Sequence, residues 1–316
     1  MMNNLRIVFM GTPEFAVGIL DTLYQHNYTI AGVITAPDKP AGRGQKIKFS
    51  AVKEYAREKG LTILQPTNLK DPRFLEALKS LNANLQVVVA FRMLPEAVWK
   101  MPEFGTFNLH ASLLPEYRGA APINWAIING EKKTGVTTFF IDEKIDTGAI
   151  ILKQELQIGP DETAGELHGR LMVLGQDAVI KTVKLIETGK AETIMQPQGE
   201  NSKTAYKLDR DNCRINWQLP GQDIYNLIRG LSPYPAAWCF INDNGQEWNV
   251  KIYAAAFEMA THSIKTGTVV VSKKEIAIAV TDGFLHIKEL QLPGKKKMAT
   301  AELLNGMQFS SGAKAY

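Results

Sequence analysis

The sequence predicts an α/β domain with a doubly wound, mostly parallel, Rossmann-like sheet, followed by a small C-terminal β-barrel of the oligonucleotide-binding type. Apolar strand segments alternate with helical segments as far as residue 189, which is the pattern of a parallel sheet. A polar stretch over 190–210 then leads to short strand segments alone. Because 316 residues exceed what one hydrophobic core usually serves, we expect an N-terminal domain at 1–189, a linker at 190–210 and a C-terminal domain at 211–316.

The first half of the α/β domain begins with an apolar strand at 5–10, a turn containing Gly11 and a helix through residue 25. A second strand is predicted at 30–35 and a helix at 50–58. The continuous apolar run at 85–91 is typical of a strand buried on both faces. Ligands bind beyond the carboxyl ends of strands in such sheets, so we expect a site at that edge.

The second half continues the alternation. Strands are predicted at 105–110, 135–141 and 150–156, and helices at 122–128 and 167–186, the last preceded by the capping-box spacing of Thr163 and Glu166. The barrel is expected to consist of five strand segments, at 237–241, 249–254, 267–271, 275–280 and 284–290.

Composition excludes several classes of protein. The chain is 45% hydrophobic and 22% charged, so it is neither disordered nor low in complexity. It has no basic and apolar leader and no long apolar run, which predicts a cytoplasmic protein that does not enter a membrane. Its two cysteines, Cys213 and Cys239, lie outside any metal-ligand spacing, so no metal is expected.

Asn108, His110 and Asp146 form the candidate catalytic set. If 105–110 is a strand, its two-residue period places Asn108 and His110 on one face. An amide can donate to the oxyanion formed when a carbonyl is attacked, and an imidazole can move protons. Asp146, on a later loop, is expected within hydrogen-bond reach of His110, where it would orient the ring. This pattern is typical of an acyl-transfer enzyme.

Basic residues are concentrated in two places. Residues 36–60 hold seven Lys or Arg against three acids, and a second cluster lies far along the chain. Most such runs are solvated loops, but the first one follows a strand and so lies at the edge where the site is expected. We therefore predict a large polyanionic partner. The candidate residues are Lys39, Arg43, Lys46, Lys48, Lys295, Lys296 and Lys297.

Four motifs carry a family resemblance. The segment 107–119 reads Phe-Asn-Leu-His-Ala-Ser-Leu-Leu-Pro-Glu-Tyr-Arg-Gly, and 142–148 reads Asp-Glu-Lys-Ile-Asp-Thr-Gly. Near the start, 11–16 reads Gly-Thr-Pro-Glu-Phe-Ala and 35–44 reads Thr-Ala-Pro-Asp-Lys-Pro-Ala-Gly-Arg-Gly. Together they closely resemble the methionyl-tRNA formyltransferases, within the 10-formyltetrahydrofolate-dependent formyltransferase superfamily, and the match runs over essentially the whole chain.

The resemblance implies a formyltransferase-type fold and a reaction. The formyl group of 10-formyltetrahydrofolate, a co-substrate, would pass to the free amino group of methionine on initiator tRNA, with Asn108, His110 and Asp146 performing the chemistry. The barrel would bind tRNA, and Arg43 in particular would contact the acceptor stem. Independently of the resemblance, the absence of an obvious apolar surface stripe in the sequence favours a monomer. The folate site would be lined by Ser112, Leu113, Leu114, Pro115, Phe91, Arg92, Met93 and Asp142.

Other functions remain open at this stage. A sugar-nucleotide formyltransferase is similar in layout, and glycinamide ribonucleotide formyltransferase or formyltetrahydrofolate hydrolase would share the Asn, His and Asp set. An RNA-binding module without enzymatic activity is the alternative from another class. A nicotinamide enzyme is disfavoured because the first turn, at 11–16, lacks Gly-x-Gly-x-x-Gly.

Overall fold

The computed structural model describes residues 4–41, 46–197, 202–307 and 309–316, apart from the side chains of residues 40, 41, 46 and 47. The chain divides into two compact units, one comprising 1–119, 134–156 and 168–204, the other 120–133, 157–167 and 205–316. The domains predicted from the sequence were continuous stretches. The contacts instead group two short segments of the N-terminal stretch, 120–133 and 157–167, with the second unit.

The described residues of the first part of the chain form sixteen strands and helices, of which ten were predicted with ends close to those observed and six were not predicted. In order they are β1 (Arg6–Gly11), α1 (Glu14–Gln25), β2 (Thr29–Ile34), β3 (Lys39–Ala41), β4 (Lys46–Lys48), α2 (Ala51–Glu58), β5 (Ile63–Leu64), α3 (Pro72–Ser80), β6 (Leu85–Val89), α4 (Glu96–Trp99), β7 (Thr106–His110), β8 (Arg118–Gly119), α5 (Pro122–Ile128), β9 (Lys133–Phe140), β10 (Ile150–Gln157) and α6 (Ala164–Glu187).

The main sheet of the first unit has the strand order β10-β9-β7-β6-β1-β2-β5. The five strands from β7 to β5 are parallel, and β9 runs antiparallel to β7. All residues of β6 are buried, as the continuous apolar run predicts for a central strand. The mostly parallel, Rossmann-like sheet is confirmed.

Helix α6 begins as the capping-box spacing predicts. The Thr163 backbone N–H and hydroxyl each donate to Glu166 Oε2 at 2.8 Å, and the Glu166 N–H donates back to Thr163 Oγ1 at 3.3 Å. These bonds satisfy backbone groups that have no partner within the first turn. The negative charge is also favourable at this end of the helix dipole. Both effects favour the ionised carboxylate, and the hydrogen bonds from Thr163 lower the pKa of Glu166.

The second unit contains the C-terminal elements. They are β11 (Thr204–Ala205), whose two residues fall either side of the division between the units, then α7 (Gly221–Leu231), β12 (Ala237–Asp243), β13 (Gln246–Met259), β14 (Val269–Val271), β15 (Ile276–Val280), β16 (Gly283–Gln291), β17 (Met298–Ala299), α8 (Thr300–Leu304) and β18 (Lys314–Ala315).

The C-terminal sheet is antiparallel and curls into a nearly closed barrel. Its strand order is β14-β15-β16-β13-β12-β18, with β17 paired to β16. The first and last strands of this order approach each other at a bridge between Thr268 and Lys314, where the Val269 N–H donates to the Ala313 carbonyl at 3.0 Å. The predicted barrel is therefore confirmed.

Helix α7 is a difference from the sequence-based expectation, which predicted only strands after residue 211. Its residues Ile224, Ile228 and Leu231 are buried in the barrel core. Their spacing of four and three residues is helical, so the signal was present in the sequence. The helix covers apolar barrel residues that would otherwise face water.

The two cysteines are free and buried in the barrel unit. Burial raises the pKa of the Cys239 thiol to about 12, and burial also raises the pKa of Cys213. Both thiols are therefore structural rather than reactive. None of the helices in the described part of the chain is long and apolar enough to cross a membrane.

Candidate active site

Strand β7 places Asn108 and His110 on one face, as predicted. Asn108 lies beside Val88 of β6 and Phe139 of β9, near the carboxyl end of the parallel strands. It is half-buried, whereas His110 is only 6% exposed. Within the described residues, the Asn108 side-chain amide has no hydrogen-bond partner. A half-buried amide without a protein partner is free to donate to a ligand.

His110 is fixed through one ring nitrogen. Its Nε2 lies 2.8 Å from the Tyr117 carbonyl oxygen. Because a carbonyl can only accept, Nε2 must carry a proton and donate. Nδ1 is the other ring nitrogen, and it lies 3.8 Å from Asp146 Oδ2. Nδ1 is therefore the nitrogen that can gain and lose a proton, and a carboxylate stands beside it.

The hydrogen bond predicted between His110 and Asp146 is wrong for this structure. The 3.8 Å separation permits an ion pair but exceeds hydrogen-bond length. Asp146 Oδ2 instead accepts from the Gly119 N–H at 2.9 Å. Asp146 has a left-handed backbone, with φ of 54°, and this conformation sets where its carboxylate can reach.

Three residues that bond to this pair or its loop were not predicted from the sequence. Tyr117 and Gly119 bind His110 and Asp146 through backbone groups, which no residue type reveals. Gln196 is 6% exposed and donates to the carbonyls of Asp146 and Gly148. It lies within the polar stretch 190–210 that the sequence predicts as a linker, so nothing in its surroundings singled it out.

The segment predicted to line the folate pocket is tightly held. Ser112 and Leu114 are fully buried. Ser112 Oγ donates to the Glu116 carbonyl at 2.6 Å, and Thr137 Oγ1 donates to the Ser112 carbonyl at 2.6 Å. Neither Ser112 nor Leu114 has surface to offer a ligand unless the segment opens. Leu113 and Pro115 are partly exposed and can be reached from solvent.

The remaining predicted folate residues lie on two loops. Phe91 is half-buried against the core, and Met93 is 66% exposed. Arg92 donates to the Thr67 carbonyl at 2.9 Å and also to the Pro66 carbonyl, so its guanidinium is engaged. Asp142 accepts from Thr147 Oγ1 at 2.7 Å. That bond orders the loop which carries Asp146.

The predicted tRNA-binding residues are only partly described. Lys39 and Lys48 are exposed, on the paired strands β3 and β4. Arg43 and the side chain of Lys46 lie outside the described residues. At the base of the loop Asp38 accepts from Gln65 at 2.8 Å and from Lys53 at 2.5 Å, and these hydrogen bonds lower the pKa of Asp38.

The second basic cluster is on the barrel unit. Lys295, Lys296 and Lys297 are all exposed. Lys297 differs from the others because its Nζ lies 2.7 Å from Glu289 Oε2 and 5.5 Å from the Tyr253 ring centre. Its charge is partly neutralised within the protein, whereas Lys295 and Lys296 have no such acidic partner among the described residues.

A metal is not expected from the sequence, and that expectation stays a prediction. Across residues 4–41, 46–197, 202–307 and 309–316, no group of three or more His, Cys, Asp or Glu side chains could hold a metal ion.

Comparisons with known proteins match formyltransferases along nearly the whole chain. The family model described as formyl transferase matches residues 5–183, and the one described as formyl transferase, C-terminal domain matches residues 207–308. A protein of Flavobacterium johnsoniae named methionyl-tRNA formyltransferase is 65% identical over 315 residues, covering 100% of both chains. One of Bacteroides thetaiotaomicron with the same name is 50% identical, covering 98% of both.

A solved structure supports the fold independently. The N-formyltransferase from Helicobacter canadensis, in complex with folinic acid and dTDP-3-aminofucose, aligns with a TM-score of 0.66. The alignment covers 93% of this chain and 100% of that one, at 20% sequence identity. At that identity the likeness concerns the fold alone.

Proposed function

The chain belongs to the formyl transferase family, a family of one-carbon transferases, and from this premise we propose that it passes the formyl group of 10-formyltetrahydrofolate to the amino group of methionine on initiator tRNA. The acceptor is supported by the full-length relatives named methionyl-tRNA formyltransferase. The observation that carries the chemistry is the free Asn108 amide next to His110, with Asp146 beside the ring.

Asn108 is the oxyanion donor in this proposal. The folate co-substrate supplies a formyl carbon bonded to nitrogen, and the methionyl amino group attacks that carbon. Negative charge then develops on the formyl oxygen. The Asn108 amide is already positioned and has no hydrogen-bond partner in the part of the chain that the structure describes. It can therefore stabilise that charge without reorganising, an effect worth about 3 kcal/mol in comparable sites.

His110 and Asp146 handle the proton. With Nε2 donating to Tyr117, Nδ1 takes the proton that the attacking amine loses and passes it to the folate nitrogen as the bond to the formyl carbon breaks. The Asp146 carboxylate, 3.8 Å from Nδ1, stabilises the imidazolium between these two steps. No covalent intermediate with the protein is required.

The donor and acceptor are bound by different parts of the chain. Leu113, Pro115, Phe91 and Met93 offer partly exposed apolar surface for the pterin ring. Ser112, Leu114, Arg92 and Asp142 support those loops through bonds or packing within the protein. The basic residues at 39–48 and 295–297 would contact tRNA phosphates, with Arg43 at the acceptor stem.

The experiment is transfer of radiolabelled formyl from 10-formyltetrahydrofolate to charged initiator methionyl-tRNA. Uncharged tRNA and a 4-amino sugar nucleotide serve as parallel acceptors. Incorporation only on the charged tRNA, declining steeply with salt, supports the proposal. Transfer to the sugar nucleotide would instead identify a sugar-nucleotide formyltransferase, and release of formate with no labelled acceptor would identify a hydrolase.

The variant His110→Ala distinguishes an enzyme from an RNA-binding module without enzymatic activity. His110→Ala should bind methionyl-tRNA with the affinity of the parent protein and lose formyl transfer, because only the proton relay is removed. Equal transfer rates for His110→Ala and the parent protein would contradict the assignment of His110.

A further inference from the structure

Gln196 connects the loop of Asp146 to the segment that holds His110. Its Nε2 donates to the Asp146 carbonyl at 2.9 Å and to the Gly148 carbonyl at 2.8 Å. Its Oε1 accepts from Arg118 Nε at 3.2 Å and from Arg118 Nη2 at 2.6 Å. The orientation of the amide is unambiguous, because arginine can only donate and the two carbonyls can only accept.

Arg118 lies in the segment 117–119, which bonds both His110 and Asp146. The Tyr117 carbonyl accepts from His110 Nε2, and the Gly119 N–H donates to Asp146 Oδ2. Arg118, between them, binds Gln196. The segment 117–119 therefore holds the His110 imidazole and the Asp146 carboxylate through backbone groups, and the Gln196 side chain through the Arg118 guanidinium.

The conformation of Asp146 explains why such a support is needed. Its φ of 54° lies in the left-handed region, which is less favourable for a residue with a side chain. The Gln196 side chain bonds the carbonyl of Asp146 itself and that of Gly148, two residues later. Because Gln196 is 6% exposed, water cannot readily replace either bond.

From these contacts we propose that Gln196, clamped by Arg118, is a positioning residue that sets the separation between His110 Nδ1 and the Asp146 carboxylate. This inference rests on the catalytic role proposed for Asp146. Within the described residues, Gln196 bonds Arg118, Asp146 and Gly148 and forms no hydrogen bond with His110. It acts by holding the backbone from which the carboxylate projects, so its loss changes the electrostatic environment of His110.

The test uses two substitutions of Gln196. Gln196→Met keeps the length of the side chain and removes all its hydrogen bonds. Gln196→Glu keeps the acceptor for Arg118, removes both donors to the loop and guards against failure of Gln196→Met to fold. We expect kcat for formyl transfer to decrease about 10- to 100-fold in both, as a displacement of about 1 Å produces. The KM values for the folate and for methionyl-tRNA should change by less than about threefold, because Gln196 is not among the residues proposed to bind either substrate.

A purely structural role would not alter the pH dependence. We expect the pH–kcat profile of each Gln196 variant to shift along the pH axis, because a displaced carboxylate interacts differently with the imidazole. Gln25→Met, at an exposed glutamine on α1, is the matched control and should reproduce the parent kcat and profile. Near-ultraviolet circular dichroism should show that the variants are folded.

Arg118 provides a second, independent measurement. Arg118→Met and Gln196→Met act on one unit, so the double variant should be no slower than the slower single variant. Multiplicative losses of kcat, or single variants of Gln196 with the parent kcat and pH profile, would overturn the proposal.

Asp146→Ala distinguishes this failure from failure of the proposed function. If the parent protein transfers formyl and Asp146→Ala does not, the catalytic assignment stands and a null result for Gln196 counts against the clamp alone. If Asp146→Ala keeps the parent rate, the proposed role of Asp146 fails, and the clamp fails with it.

Discussion

Asn108 and His110 share one face of β7 but are held in different ways. His110 donates to the Tyr117 carbonyl at 2.8 Å and is almost fully buried. Asn108 is half-buried and, among the described residues, its amide has no partner. The first arrangement fixes a tautomer and the second leaves two N–H donors available. In the proposed mechanism, the strand therefore supplies one immobilised acid–base group, His110, and one open donor, Asn108.

Substituting Asn108 tests the open donor directly. Asn108→Ala should lower kcat about 10²- to 10³-fold with little change in either KM, as loss of an oxyanion donor does elsewhere. Asn108→Asp has the same shape but places acceptors and negative charge beside the developing oxyanion, so its kcat should be at least as low.

Steady-state kinetics on both variants check this expectation. Asn305→Ala, at an exposed position in the barrel unit, is the matched control. A rise in KM at constant kcat for Asn108→Ala would mean that the amide binds the ground state and the transition state equally, contrary to the assignment.

At the scale of single elements, the loop between β9 and β10 is constrained by backbone contacts. A side chain at Gly148 would place Cβ 1.7 Å from the Phe140 carbonyl oxygen, and the Phe140 N–H bonds the Ala149 carbonyl at 2.9 Å. The close approach leaves room only for glycine. The loop that carries Asp146 therefore starts and ends at fixed points on β9 and β10.

Two glycine substitutions should have opposite effects. Gly148→Ala should lower the free energy of unfolding by about 1–3 kcal/mol, because the backbone at Gly148 or Phe140 must move to make room for the added methyl group. Gly169→Ala, within α6, meets nothing within 4 Å and should raise it by about 0.5–1 kcal/mol. Urea denaturation of both variants measures the difference. Equal stability of Gly148→Ala and the parent protein would contradict the close contact.

Helix α6 offers a test of pH dependence. Its hydrogen bonds from Thr163 lower the pKa of Glu166, so the folded protein favours the ionised carboxylate. The resulting stabilisation is fully present above the ordinary pKa of a glutamate and is lost as pH decreases through the lower, folded value. Glu166→Gln should therefore be less stable than the parent protein at neutral pH by about 0.5 kcal/mol.

The difference between Glu166→Gln and the parent protein should shrink as pH falls through the acidic range. Thermal unfolding at a series of pH values measures it. Glu187→Gln, at the last residue of the same helix, is the control, because removing a negative charge there should be neutral or stabilising. A difference for Glu166→Gln that is constant with pH would contradict the role of its charge.

At the scale of the whole molecule, the lysines of the two basic regions differ in whether an acidic side chain already neutralises part of their charge. Lys39 and Lys48 are exposed on β3 and β4, and Lys295 and Lys296 are exposed on the barrel unit. Lys297 is paired with Glu289 at 2.7 Å. An ion pair must be broken, or its charge shared, before such a lysine can neutralise a phosphate.

Lysine substitutions should change the salt dependence of tRNA binding. Each of Lys39→Ala, Lys48→Ala, Lys295→Ala and Lys296→Ala should reduce the slope of log affinity against log salt concentration by about 1, while the KM for the folate stays unchanged. Lys297→Ala should have a smaller effect. Filter binding of methionyl-tRNA over a KCl series measures the slopes.

Lys181→Ala serves as the control for general loss of charge. Lys181 is exposed on α6 and already paired with Asp177 at 2.5 Å. The assignment would fail if Lys181→Ala reduced the slope as much as Lys39→Ala, since the effect would then follow net charge rather than position.

Much of the fold was predictable because it follows from periodicity. The buried run at 85–89, the capping box at Thr163 and the alternation of strands and helices are local patterns that predicted the parallel sheet and α6. The barrel was predicted from its short strands. Helix α7 was missed although Ile224, Ile228 and Leu231 have helical spacing, because the surrounding strand segments suggested a uniform β region.

The candidate catalytic set was predictable as residue types on a strand and a loop. The amino-acid sequence by itself determined the side-chain chemistry available there: an amide, an imidazole and a carboxylate. Only the tertiary structure decided how they are held. Gly119 and Asp146 are 27 positions apart, and Arg118 and Gln196 are 78 apart. The bonds from Tyr117 and Gly119 use backbone groups, which the type of residue does not reveal. Contacts of this kind depend on the path of the folded chain, which local periodicity does not specify.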